Sequence, residues 1–225
     1  MLMTDGRYSR TLKITGEEGL RRLREASVLV VGIGGVGSYA AEAIARAGVG
    51  KMTLMDGDSV QPSNLNRQLV ALTSTLGKNK AEVMAERIKD IDPDTEITVL
   101  PRFYRPDDDL GLSGYDWIVD AIDDVEAKTA LICRAKELGV DIVSAMGAAG
   151  KVKTEFVVSD ISKTQVCPLA RVMRRKLRDR GVEHLPVVYS AEKPMPRDGE
   201  LGTLSYVPGS AGLTLAGFVI RELLR

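Results

Sequence analysis

The residues able to do chemistry cluster between positions 32 and 123. Gly32, Gly34, Gly35 and Gly37 spell G-x-G-G-x-G. Glycines in this pattern permit a tight turn, let backbone approach a phosphate, and bring helix and strand close together. The helix beginning beyond them offers unpaired N–H groups to an anion. Asp56 follows at the spacing of a carboxylate that accepts from a ribose hydroxyl. That much suits any adenosine nucleotide, a nicotinamide dinucleotide included.

The next stretch asks for a different ligand. Asn64, Arg67 and Lys80 lie within 25 residues of Asp56. Two cations and an amide beside a nucleotide suit a triphosphate, whose charge must be neutralised. A dinucleotide carries only a pyrophosphate, which backbone N–H groups can hold. Asp123, in "DAIDD", can hold Mg²⁺ against phosphates, the metal keeping several waters. Asp123 or Asp124 can instead cap the following helix.

Elements of α/β type must position these groups. "SVLVV", "KMTLM", "EITVL", "YDWIVDAID" and "VDIVSA" read as strands. Between them, residues 36–47 place Val36, Ala40, Ala43, Ile44 and Ala47 on one helical face. "KNKAEVMAERIKDI" aligns Met84, Ile88 and Ile91, and "EAKTALICRAKELG" ends at Gly139. This alternation predicts a Rossmann-like, mainly parallel sheet with helices on both faces. Ligands of such sheets collect at the C-terminal edge of the strands. Residues 1–25 read as an N-terminal helical arm, 26–150 as a nucleotide-binding half, and 151–225 as a substrate-binding and dimerisation half whose strands extend the sheet. One domain, 1–225, is expected.

The bulk numbers exclude several classes. Lys+Arg and Asp+Glu are 31 each in 225 residues, so affinity for nucleic acid needs a local patch. Two cysteines, Cys133 and Cys167, cannot form a four-thiolate zinc site and suggest no disulfide framework, which predicts a cytoplasmic protein. The N-terminus lacks the apolar core of a signal peptide. The longest apolar stretch, near residues 212–220, is far below the ~20 residues that span a bilayer, so no membrane partner is expected. Cys167 as a nucleophile would need a base, and the lone His184 lies 17 residues away, so a small buried thiol is expected instead.

"RYSR" (7–10), "GIGGVGS" (32–38), "DGDSVQPSNLNRQ" (56–68), "GKNKAE" (77–82) and "DAIDD" (120–124) resemble the ubiquitin-activating-like superfamily of ATP-dependent adenylating enzymes. The resemblance spans nearly the whole chain. It implies ATP and Mg²⁺ as cofactors. Asp56 would bind the ribose, Asn64, Arg67 and Lys80 the phosphates, and Asp123 the metal. Arg10 would reach the ATP of the other subunit of a homodimer, acting in catalysis with Arg67 and Lys80. The zinc-binding cysteine pairs usual in sulfur-carrier-activating members are missing. Activation of a small sulfur-carrier protein is therefore the second reading, and a sulfur-carrier or desulfurase-associated protein stays open as a further partner.

"SAMGAAGK", "SDISKTQVCPLARVMRRKLRDRG" and "LGTLSYVPGSAGLTLAGFVIREL" resemble the branch that dehydrates threonylcarbamoyladenosine in tRNA. That branch implies a modified adenosine at position 37 of ANN-decoding tRNAs as substrate. Its threonyl carboxylate would attack the α-phosphate of ATP, and ring closure would then expel AMP. For the tRNA, "RVMRRKLRDR" (171–180) offers a basic helix. Arg171, Arg174, Arg175 and Arg178 share one face at helical pitch and can track phosphates. The proline- and glycine-rich loop 191–203 reads as a lid or as a plain connection.

Overall fold

A computed structural model describes residues 6–225. The first five residues of the expected N-terminal arm lie outside the described residues. The rest of the arm is helix α1 (Ser9–Glu25), broken at Gly16, where φ is 66°. Then come β1 (Ser27–Val31), α2 (Gly37–Ala47), β2 (Lys51–Met55), α3 (Lys80–Ile91) and β3 (Glu96–Leu100). They are followed by β4 (Trp117–Asp120), α4 (Val125–Glu137) and β5 (Asp141–Ala145). The chain closes with β6 (Val157–Asp160), α5 (Pro168–Arg178), β7 (Pro186–Tyr189) and α6 (Tyr206–Leu223).

The strands form one sheet in the order β3-β2-β1-β4-β5-β7-β6. Every neighbouring pair is parallel except β6 with β7. The expected architecture is present, with the C-terminal strands extending the sheet. β6, in the C-terminal half, is four residues long. The order reverses between β1 and β4, the topological switch point where open α/β sheets bind ligands.

Packing explains why these segments become these elements. β1 carries Val28, Leu29, Val30 and Val31, all buried, because both faces of the sheet are covered. On one side α2 and α6 close over Val28, Val30 and Leu54. On the other, α4 and α5 close over Leu29, Ile118 and Ile142. The small residues of α6 let it press against α2. A Cβ added at Gly212 would lie 2.3 Å from the Val36 carbonyl oxygen. Trp117 meets Phe218 edge to face, with ring centroids 5.4 Å apart.

Buried Asp92, just past α3, anchors α1. It accepts from Tyr8 Oη at 2.6 Å and Thr95 Oγ1 at 3.1 Å, and it pairs with Arg7 and Arg24. Burial pushes the Asp92 carboxyl up, but the hydrogen bonds from Tyr8, the Asp94 N–H and Arg24 prevail and hold it below its ordinary value. The N-terminal end of α1 thus sits at the far end of α3 from Lys80, about 18 Å away at 1.5 Å rise per residue. Among the described residues no helix is long and apolar enough to cross a membrane.

Candidate active site

A cavity of about 730 Å³ opens at the C-terminal ends of β1, β2 and β4. Its wall includes Gly32, Gly34, Gly35, Asp56, Asn64, Arg67, Lys80 and Asp123. The turn from β1 into α2 forms the floor. At Gly32 φ is 90°, and an added Cβ would lie 2.6 Å from the Ala121 carbonyl oxygen. Gly37 does not line the cavity but is the tightest point of the turn. A Cβ there would lie 1.7 Å from the Gly32 carbonyl oxygen. Gly34 is different in kind. It lies outside the left-handed region, and a Cβ would approach only Gln68 Nε2, at 3.9 Å.

Asp56 directly follows β2 and is held by backbone. Its Oδ2 accepts from the Ile33 N–H at 2.6 Å and its Oδ1 from the Asp58 N–H at 2.8 Å. Burial pushes the carboxyl above its ordinary value, while the two N–H donors and nearby Lys80 pull it back only in part. Each oxygen keeps a lone pair, so the carboxylate can accept from a sugar hydroxyl.

Lys80 is the first residue of α3 and is buried, its ammonium 2.8 Å from Asp58 Oδ2. Asn79 fixes it there. Its Oδ1 caps α3 by accepting from the Ala81 and Glu82 N–H groups, and its Nδ2 donates to the carbonyls of Asp56 and Asp58. One amide therefore ties the start of α3 to the end of β2. Buried Asn64 accepts from the Gln61 N–H at 3.0 Å, closing the short turn Pro62–Asn64. Arg67 donates to the Ser63 carbonyl at 2.8 Å and to Asn66 Oδ1 at 3.0 Å while its side chain faces the cavity.

Asp123 lies in the loop after β4, not within the strand, and is exposed. It makes no hydrogen bond among the described residues. Asp124 is the helix cap, accepting from the Ala127 N–H at 2.7 Å. That division leaves Asp123 out of the cap, with its carboxylate on the cavity wall. Among the described residues no group of three or more His, Cys, Asp or Glu side chains forms a metal cage. The donor set fits Mg²⁺, which takes one or two carboxylates and completes its shell with phosphate oxygens and water. Two buried polar atoms without partners among the described residues, Gln68 Oε1 and Tyr104 Oη, belong to residues of the same wall.

Sequence reading brings Asp56, Asn64, Arg67, Lys80 and Asp123 to one cavity, and the structure places them there. It misses Asp58, Gln68, Phe103 and Tyr104. The last two follow β3, and no motif marks them. Arg10 is exposed on α1 and does not line this cavity. The expected basic face of α5 needs correcting. Arg174 is turned inward, donating to Thr164 O and Thr164 Oγ1, both at 2.8 Å. Arg171, Arg175 and Arg178 remain exposed, while Ala170, Met173 and Leu177 are buried. Lys176 pairs with Glu126, which lines the cavity, so α5 borders its mouth.

Loop 191–203, which reads as a lid or as a plain connection, is tied down. Gly150 donates to Gly202 O at 2.8 Å, Met195 to Gly150 O at 2.7 Å, and Asn66 Nδ2 to Thr203 O at 2.9 Å. Cys167 is buried at the start of α5, and His184 pairs with Asp160 at 3.3 Å rather than with a thiol.

A glycine floor, a ribose-type carboxylate and cations gathered where a triphosphate would lie define a nucleotide-activating α/β protein. Residues 8–224 match the ThiF family, and the chain belongs to it. It is 38% identical over 240 residues to the tRNA threonylcarbamoyladenosine dehydratase of Bacillus subtilis, covering 97% of this chain and 94% of that protein. The crystal structure of the E. coli tRNA N6-threonylcarbamoyladenosine dehydratase TcdA in complex with ATP superposes with a TM-score of 0.91 at 34% identity, covering 99% of this chain and 97% of that one. The molybdopterin-synthase adenylyltransferase of Salmonella typhimurium is 35% identical over 166 residues, covering 72% of this chain and 65% of that protein.

Proposed function

We propose that this chain dehydrates threonylcarbamoyladenosine in tRNA, closing a ring at the cost of ATP. The observation that carries the proposal is the convergence of Arg67, Lys80 and Asp123 on one cavity beside the glycine turn. The full-length likeness to dehydratases supports the choice of substrate.

The chemistry follows from what those residues can hold. Asp56 anchors the ATP ribose, and the turn at Gly34 and Gly35 lays backbone N–H groups along the phosphates. Arg67, Lys80 and Asn64 face the phosphates from the opposite wall. Asp123 would hold Mg²⁺, which would supply positive charge beside the phosphates. A threonyl carboxylate oxygen then bonds to the α-phosphorus, and the bond to the bridging oxygen of pyrophosphate breaks. Arg67 and Lys80 stabilise the charge that builds on the leaving group. The side chain's own nucleophile next attacks the activated carbonyl and loses its proton, and AMP departs with the carboxylate oxygen. The ring closes within one molecule, so no protein nucleophile is required. The burial of Cys167 agrees with that.

The tRNA would approach over Arg171, Arg175 and Arg178, beside the cavity mouth. A homodimer would let Arg10 act on the partner's ATP. Its place outside the cavity of its own chain supports a role in trans. Incubating the protein with ATP and tRNA bearing the open modification, then weighing the nucleosides, tests the function. A nucleoside lighter by one water is expected. An unchanged nucleoside together with adenylation of a small carrier protein would replace this reading with the second one.

A further inference from the structure

Beneath the loop that carries Asp123 lies a charged pair wholly removed from solvent. The Lys128 ammonium, on the first turn of α4, is 2.9 Å from Asp120 Oδ2, and both side chains are 0% exposed. Lys128 Nζ also donates to the Ile122 carbonyl at 2.9 Å. Asp120 in turn accepts from the Ile122 N–H at 3.1 Å and from Ser144 Oγ at 2.6 Å. Ile122 is thus held by both its backbone polar groups, one through each member of the pair. Residues 121–122 also press on the glycine turn. An added Cβ at Gly32 would meet Ala121 O at 2.6 Å and Ile122 N at 3.2 Å.

A buried ion pair is weak evidence for stability, because desolvation offsets much of the attraction. Its value here is geometric. The strip 121–123 forms one cavity wall and delivers Asp123, yet it is loop rather than strand or helix. Among the described residues the Ala121 N–H ties it to β1 by donating to the Val31 carbonyl at 2.8 Å, and the Lys128–Asp120–Ser144 set ties it to β4, β5 and α4. We propose that Lys128 is a positioning residue, holding the Ile122 carbonyl so that Asp123 and the glycine turn stay in register around the ATP phosphates. This rests on the nucleotide site proposed above, and not on the identity of the acyl substrate.

The test separates positioning from stability. Lys128→Met alone leaves Asp120 buried and unpaired and is expected to destabilise the chain. Lys128→Met with Asp120→Asn removes both charges, restoring a folded protein while Ile122 O stays untethered. In that double variant pyrophosphate release is expected to fall about a hundredfold in kcat, the scale of an ångström misplacement. Binding of adenosine alone, which uses Asp56 but not the strip, is expected to remain within about twofold when measured by calorimetry. Ser144→Ala, which leaves the pair intact but removes one donor to buried Asp120, is expected to lower kcat several-fold while the chain stays folded at a modestly lower melting temperature. A folded double variant with wild-type kcat overturns the proposal, as does adenosine binding that falls in parallel with kcat. Should the double variant not fold, wild-type kcat in Ser144→Ala overturns it and a several-fold loss supports it. Loss of ATP binding by the unaltered chain would refute the site itself, a separate outcome.

Discussion

Replacing Gly34 by alanine separates a glycine kept for the fold from one kept for a ligand. Its backbone lies outside the left-handed region, and the new methyl would meet only Gln68 Nε2 at 3.9 Å. Alanine at a compatible position stabilises by about 0.4–1 kcal/mol, through the unfolded chain. In a chain of this size that raises Tm by about 1–4 °C. The methyl points into the cavity floor, where phosphate oxygens would meet the backbone N–H groups. Pushed back by about an ångström, the phosphate loses one or two hydrogen bonds to charged oxygen, each worth about 1.5–3 kcal/mol. ATP affinity should fall by at least about tenfold, and by about a hundredfold if the loss is near 2.7 kcal/mol. Titration calorimetry with ATP and a thermal melt without it measure both effects. A variant that binds ATP like the parent refutes phosphate approach at Gly34, and a lowered Tm refutes the claim that the fold tolerates the methyl.

Four further outcomes are expected. Lys80→Met should reduce pyrophosphate release about a hundredfold or more, as loss of one preorganised charge does, with the fold kept; turnover within a few-fold of wild type would remove its phosphate role. Arg175→Ala should weaken tRNA binding and lower its salt slope by about one, whereas Arg174→Ala should mainly lower Tm, because Arg174 bonds Thr164. Asp56, its carboxyl raised by burial, should give opposite trends in acid. As pH falls through the raised folded value towards about 3.9, protonation favours the fold while nucleotide affinity drops; an Asp56→Asn variant keeping the same pH dependence of ATP binding would assign that dependence elsewhere. Mixing Arg10→Ala with Lys80→Ala subunits should restore one working site per heterodimer, and absence of recovery would place each site within a single chain.

The parts of this molecule that repeat a local rule are legible in its sequence. "SVLVV" and "KMTLM" are apolar runs of strand length between turn signals, and the structure makes them β1 and β2. The glycine turn, Asp56 and Lys80 are readable because each sits at an element boundary, where the next element fixes its direction. Contacts between distant segments are not. Arg174 shares a helical face with Arg171 and Arg178, yet it turns inward because Thr164 offers it two oxygens from a turn ten residues away. No motif in the sequence marks Lys128, and Asp120 and Ile122 draw it inside. Phe103 and Tyr104 reach the cavity only because β3 pairs with β2 in one register.

The central claim is that a carboxylate is activated at the α-phosphorus of ATP. A tRNA whose threonyl carboxylate carries heavy oxygen tests it most directly, with mass analysis of the released nucleotide. Attack at the α-phosphorus places one labelled oxygen in each AMP formed, with pyrophosphate unlabelled. Label in inorganic phosphate with ADP as the product would mean attack at the γ-phosphorus, and would contradict the account.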